Sequence, residues 1–281
     1  MAYYEYLVGG LPDVLPDDGK RGDLFSVFMD EVNILVEEPD MGVISAMRLP
    51  IDNRNLINIL ESGDEFDNRG NYTRAELEEA VRTLSYIPEY MQTFLVAYKS
   101  DRLPFAGLTA IDQLTWMFYE EMEESENEFL REWYDFDAAL RNVVAGINLR
   151  KGLTHIEAIA TERDRPHSLT IVGRATAAEA VLKSTTPDFG LSGEYPWVEK
   201  VVALYNKGGL TDIEKGLDDL RWEILDDMTS LMVFKVEVVA AFAQKLLIAE
   251  RWMKLDPVAG RAKLDKLIEE MMGSFVMPAG F

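Results

Sequence analysis

The longest regular alternation of apolar and polar positions in the chain runs from Asn127 to Lys151. Phe129, Trp133, Phe136, Leu140, Val143, Val144 and Ile147 follow a three-and-four spacing, which at 100° per residue keeps them in one stripe. This predicts a long amphipathic helix with a wide buried face. Asp137, Arg141 and Asn148 fall in register on a neighbouring face, and Asp137 stands one turn before Arg141, so a helical ion pair is available. An exposed pair of that kind contributes only about 0.2–0.5 kcal/mol. The apolar stripe supplies the stability.

The helical period dominates elsewhere too. Leu24, Phe25, Phe28, Val32 and Leu35 predict a helix with Asp23 as its N-cap. A second helix is expected from Pro39–Asp40, and a third opening at Asp52 with Leu56, Ile57, Ile59 and Leu60 inward. Thr73-x-x-Glu76 is a capping box that opens the next helix. Further helices are predicted from Pro88, over 108–124 with Leu114, Met117, Phe118 and Met122 inward, over 198–205, over 211–227 and over 234–255. Asp256–Pro257 opens a last one to Met272, before a loose tail. Two stretches differ. Tyr3 to Val8, aromatic and β-branched at several positions and then broken by Gly9–Gly10–Leu11–Pro12, predicts a short extended segment. Residues 154–196 hold only short segments such as HIEAIA, SLTIVG and AEAVLK. The expectation is an all-α protein, one domain over 1–281 built of pseudo-repeated helical bundles, with 1–152 and 153–281 as candidate lobes.

Composition narrows the function. The 281 residues carry 50 acidic against 28 basic side chains, a net charge of −22, which repels nucleic-acid phosphate and anionic lipid. No basic patch opposes that total, so nucleic acid is not an expected partner. Cysteine is absent, which removes disulfides, thiolate metal sites and cysteine nucleophiles and fits a reducing cytoplasmic setting. The N-terminus lacks the basic start and apolar core of a secretory signal. The most apolar run, 231–243, contains Lys235 and Glu237 and is too short and too charged to span a bilayer.

Candidate chemistry is sparse. His155 and His167 have neither a partner histidine nor a carboxylate at metal-binding spacing, and no metal or cofactor is expected. Glu65 to Glu76 places glycine and glutamate where a calcium loop does, but Glu65 replaces the first aspartate and Arg69 puts a cation at a ligand position. Phosphate-binding glycine loops and a G-x-S-x-G elbow are absent. Asp17–Asp18, Asp218–Asp219 and Asp226–Asp227 lack the third acid of a magnesium-binding D-D-x-x-D helix. The run of glutamates from Glu120 to Glu128 reads as a solvated helix surface or a docking face for a basic partner. An enzyme built on scattered acids has no fixed spacing to recognise.

Three segments share a design, an acid at the start of a helix followed by apolar residues at helical spacing. They are IDNRNLINILES, FDAALRNVVAGINLRKG and FKVEVVAAFAQKLLIAERW. Asn55 follows Asp52 and Asn142 follows Asp137, whereas Glu237 replaces the aspartate in the third. With YYEYLVGGLPD, FLREWYDFDAALRNVVAGINLRKG and LRWEILDDMTSL, these segments resemble a bacterial family of unknown function encoded among V-type ATP synthase genes. That family is similar to the C component of V-type rotary ATPases, whose eukaryotic counterpart is the d component.

The resemblance implies a helical, non-catalytic part of the rotor that seats the central D–F stalk, made of the D and F components, on the membrane proteolipid ring. It implies a cytoplasmic location peripheral to the inner membrane and a part in ion transport. The alternatives are a helical assembly or regulatory adaptor of the same complex and, behind it, a helical enzyme or ligand-binding protein using scattered acidic residues. The motif positions it singles out are Asp52, Asn55, Trp133, Asp137 and Arg141. Asn142, Asn148, Glu237 and Trp252 complete the set.

Overall fold

The stripe predicted on the central helix is the core of the molecule. In a computed structural model, which describes residues 2–11, 24–105, 108–151 and 175–253, Phe129, Trp133, Phe136, Leu140, Val143 and Ile147 are all buried and Val144 is partly so. All regular structure among the described residues is helical. The order is α1 (Ala2–Gly9), α2 (Leu24–Leu35), α3 (Met41–Leu60), α4 (Arg74–Thr83), α5 (Glu89–Lys99) and α6 (Ala110–Glu123). It continues with α7 (Glu128–Arg150), α8 (Ala175–Lys183), α9 (Val198–Lys207), α10 (Leu210–Thr229) and α11 (Val236–Met253).

Among these, α3 packs against α4, α6, α7 and α11. The last described helix, α11, in turn covers α1, α2, α3 and α10. Both bury small and branched residues along the contact, with Ile44 and Leu56 on α3 and Val239, Ala240 and Leu246 on α11 fully enclosed. At the other end of the molecule α8 lies against α7. The approach is close because of Gly146, where a Cβ would sit 2.5 Å from Val181 Cγ1 and 2.9 Å from the Phe189 ring.

Three expectations are corrected. Tyr3 to Val8 is helical, part of α1, because Leu7 is buried where α1 packs on α2 and α11; strand preference is weak beside such packing. The helices expected from Pro39–Asp40 and from Asp52 are one continuous α3 that runs through Pro50. Proline cannot donate to the carbonyl four residues back, here that of Ala46, but the Tyr134 hydroxyl of α7 donates to it instead at 3.0 Å. The pair Asp137–Arg141 gives way to tertiary partners: Arg141 reaches Asp112 on α6 at 3.2 Å, and Asp137 turns to Tyr119 and Arg221.

The capping box is present, with Thr73 accepting from the Glu76 N–H and Glu76 accepting from the Thr73 N–H. The segment AEAVLK lies in α8. Asp23, both histidines, HIEAIA, SLTIVG, the helix from Asp256 and the tail lie outside the described residues.

Candidate functional site

Residues Asp52, Asn55 and Asn58 stand three apart on α3 and so share one edge of the helix. Each takes hold of the backbone of the loop that leads to α4. Asp52, fully buried, accepts from the Asn71 N–H at 2.8 Å, the Asn71 side-chain amide at 2.7 Å and the Tyr72 N–H at 3.2 Å. Asn55 pairs with both backbone groups of Asp67, donating to its carbonyl at 2.8 Å and accepting from its N–H at 2.9 Å. Asn58 donates to the Glu65 carbonyl. The loop comes so close that a Cβ on Gly70 would lie 2.2 Å from Asp52 Oδ1. Burial pushes the Asp52 carboxyl up to about 6, against the opposing pull of the Asn71 and Tyr72 hydrogen bonds and of nearby Arg48.

The same loop presents Arg69. Its guanidinium clasps Asp67 at 2.7 Å and reaches Glu250 on α11 at 3.1 Å. Glu250 is buried, and its other oxygen accepts from the Phe25 N–H at 2.8 Å. Phe25 is the second residue of α2, where N–H groups have no partner within the helix. A side chain from α11 therefore caps α2. Arg48 completes the cluster by donating to the carbonyls of Arg69 and Gly70.

A second polar cluster joins α6, α7, α10 and α11. The Tyr119 hydroxyl donates to Asp137 at 2.6 Å, and Arg221 stands 3.6 Å from the same carboxylate and 3.0 Å from Asp218. Asp218 also accepts from the Trp252 indole at 2.8 Å and from Arg251. Burial works against the Arg221 charge, but Asp137 and Asp218 outweigh it and the pKa rises. Burial, reinforced by Asp137, lifts the Tyr119 phenol well above its usual range.

The clusters flank two hollows. One, about 790 Å³, opens between α2, α3 and the loop; the other, about 410 Å³, lies between α3, α7, α10 and α11. Arg54, Asp67 and Arg69 line both.

The positions singled out in the sequence thus divide. Asp52 and Asn55 come together at the loop, and Asp137 meets Trp252 through Arg221 and Asp218. Trp133 is core, its ring 5.5 Å from that of Phe136. Arg141 ties α7 to α6, buried Asn142 lies further along α7, and Asn148 donates to the Tyr205 hydroxyl of α9. Glu237 accepts from Asn127, the N-cap of α7, at 3.1 Å. Sequence reasoning missed Arg69, Glu250 and Arg221. For Arg69 a signal existed, since a cation at a calcium-ligand position is a misfit that points to another role.

A family model described as "Protein of unknown function (DUF2764)" matches residues 1–274. The chain belongs to the DUF2764 family. No curated protein and no solved structure matches it. In this DUF2764 protein the carboxylates of both clusters are held by guanidiniums, N–H groups or hydroxyls, an arrangement that locks helices from distant parts of the chain together. Among the described residues no helix is long and apolar enough to cross a membrane, and no three histidine or acidic side chains are grouped to hold a metal ion.

Proposed function

We propose that the protein is a non-catalytic coupling component of a V-type rotary ATPase, joining the D–F stalk to the proteolipid ring from the cytoplasmic side of the inner membrane and so supporting ion transport. The observation that carries this reading is where the three segments resembling that family fall. They lie on α3, α7 and α11, and α3 packs against both of the others. The polar residues of these segments are spent on holding helices and a loop in place, as a part that transmits torque requires. A surface for a basic stalk tip is available at the groove between α5 and α6, about 570 Å³, where Glu89, Glu120, Glu121 and Glu124 surround Met117 and Met122. Acidic rims of this kind steer a basic partner and fix its register more than they add affinity.

The test is native mass spectrometry and pull-down with purified D–F stalk and purified ring, without nucleotide. Binding to the stalk is expected to weaken as salt rises, because exposed charges are screened beyond about 8–10 Å at moderate ionic strength. Deleting the protein is expected to uncouple ATP hydrolysis from ion pumping and leave hydrolysis by the soluble head intact. Binding to neither stalk nor ring rejects the rotor role; binding to another component of the complex makes it an assembly or regulatory adaptor.

A further inference from the structure

Five arginines surround the two hollows, and four of them are committed. Arg48 is held by backbone carbonyls, Arg69 by Asp67 and Glu250, Arg221 by Asp137 and Asp218, and Arg251 by Asp218 and Glu214. Arg54 differs. It projects from α3 at the edge that the hollows share and makes no hydrogen bond or ion pair to any described residue. Arg54 is exposed to solvent, and its guanidinium carries N–H donors in a rigid fork suited to carboxylate and phosphate. Water reaches Arg54, yet the surrounding protein desolvates it enough to lower its pKa, with Arg69 adding repulsion and Asp67 opposing both.

The smaller hollow states what else the ligand must be. Its charged lining is Arg54, Arg69, Arg221 and Arg251 against Asp67, Asp137 and Asp218, and each of the three aspartates already has an arginine other than Arg54. The rest of the wall is largely apolar, with Met47, Ile51, Trp133 and Leu247. The net charge of −22 works against anions over the molecule as a whole, so anion binding here rests on Arg54, the one charged group of this lining without a hydrogen bond or ion pair to a described residue. The rim of the larger hollow carries Asp30 and Glu65, which disfavour a polyanion there.

We infer that the hollow between α3, α7, α10 and α11 binds a small molecule carrying one oxyanion group, a carboxylate or phosphate seated on Arg54, with an apolar remainder against Trp133 and Leu247. This site is independent of the coupling role and stands or falls without it.

Titration calorimetry on the full chain at low salt tests it, with hexanoate, inorganic phosphate and hexanol as probes. Hexanoate is expected to bind saturably and hexanol not at all. Arg54→Gln is expected to weaken hexanoate roughly ten- to hundredfold, the range for losing a charge-assisted hydrogen bond. Arg54→Lys, which keeps the charge without the fork, is expected to fall between. Arg82→Gln, an exposed arginine paired with Glu79, is expected to bind as the natural chain does. Phosphate binding that Arg54→Gln abolishes, in place of hexanoate binding, assigns the oxyanion as phosphate. The inference is overturned if neither anion binds, if hexanol binds as well as hexanoate, or if Arg54→Gln binds unchanged. Should Arg54→Gln lose the native circular dichroism spectrum, Arg54→Lys decides: affinity equal to the natural chain's in a folded variant shows that the fork is not used and overturns it.

Discussion

The Tyr134 hydroxyl donates to the Ala46 carbonyl, the group that Pro50 leaves without its helical donor. A side chain of α7 thereby supplies the hydrogen bond that α3 cannot make for itself. Tyr134→Phe is expected to destabilise the protein by about 1–3 kcal/mol, the cost of leaving a buried carbonyl unsatisfied. Pro50→Ala restores a backbone N–H, so the double variant is expected to recover much of that loss. Urea denaturation of the two single variants and the double variant measures the coupling.

Glu250 holds both Arg69 and the start of α2. Glu250→Ala is expected to cost about 1–3 kcal/mol, since it takes the acceptor from the Phe25 N–H and one of two carboxylates from the partly buried Arg69, which keeps Asp67. Glu250→Gln keeps an acceptor for Phe25 and is expected to lose less. Chemical denaturation of each variant gives the comparison.

The Asp52 carboxyl predicts a pH dependence of definite sign. Its folded pKa, about 6, lies above its ordinary value of 3.8, so in that interval the folded state binds more protons than the unfolded state. Stability from this group is therefore greatest below about pH 4 and is lost as pH rises through about 6, a change on the order of 2–3 kcal/mol. Asp52→Asn removes the titration. The stability of the natural chain relative to Asp52→Asn is expected to fall between pH 4 and pH 7, and a flat difference in parallel denaturation series refutes the assignment.

Trp133 lies in the core on α7, whereas Glu120 is exposed on α6. Trp133→Ala is expected to cost about 3–5 kcal/mol in lost transfer energy and a residual cavity. Glu120→Ala is expected to change stability by less than about 0.5 kcal/mol. Thermal and urea unfolding check both.

The sequence makes legible whatever is written locally. The stripe of α7 and the Thr73–Glu76 box depend on residues within a turn or two of each other, and both are present in the structure. Pro50 taken in isolation is a helix breaker; that α3 continues through it depends on Tyr134, 88 residues away from the carbonyl it satisfies. Arg141 has Asp137 one turn away but pairs with Asp112, because a tertiary partner on α6 lies within reach. Tyr3 to Val8 has the residues of a strand and no neighbouring strand to pair with among the described helices. The site is less legible than the fold. Asp52, Asn55, Asp137 and Trp252 carry visible patterns, while the partners that give them meaning, Asn71, Arg69, Arg221 and Asp218, are single residues brought in from elsewhere.

A protein chain leaves the ribosome from its N-terminus, and early segments ordinarily begin to fold before late ones exist. Here the acceptor for the Phe25 N–H is made 225 residues after its donor. Phe28, on the same helix, packs edge-on against Phe242 of α11 with ring centres 5.0 Å apart. During synthesis α2 thus emerges with both its cap and its aromatic partner still to come. α1 can cover part of its apolar face from the start, but the part that α11 covers stays open until α11 is released.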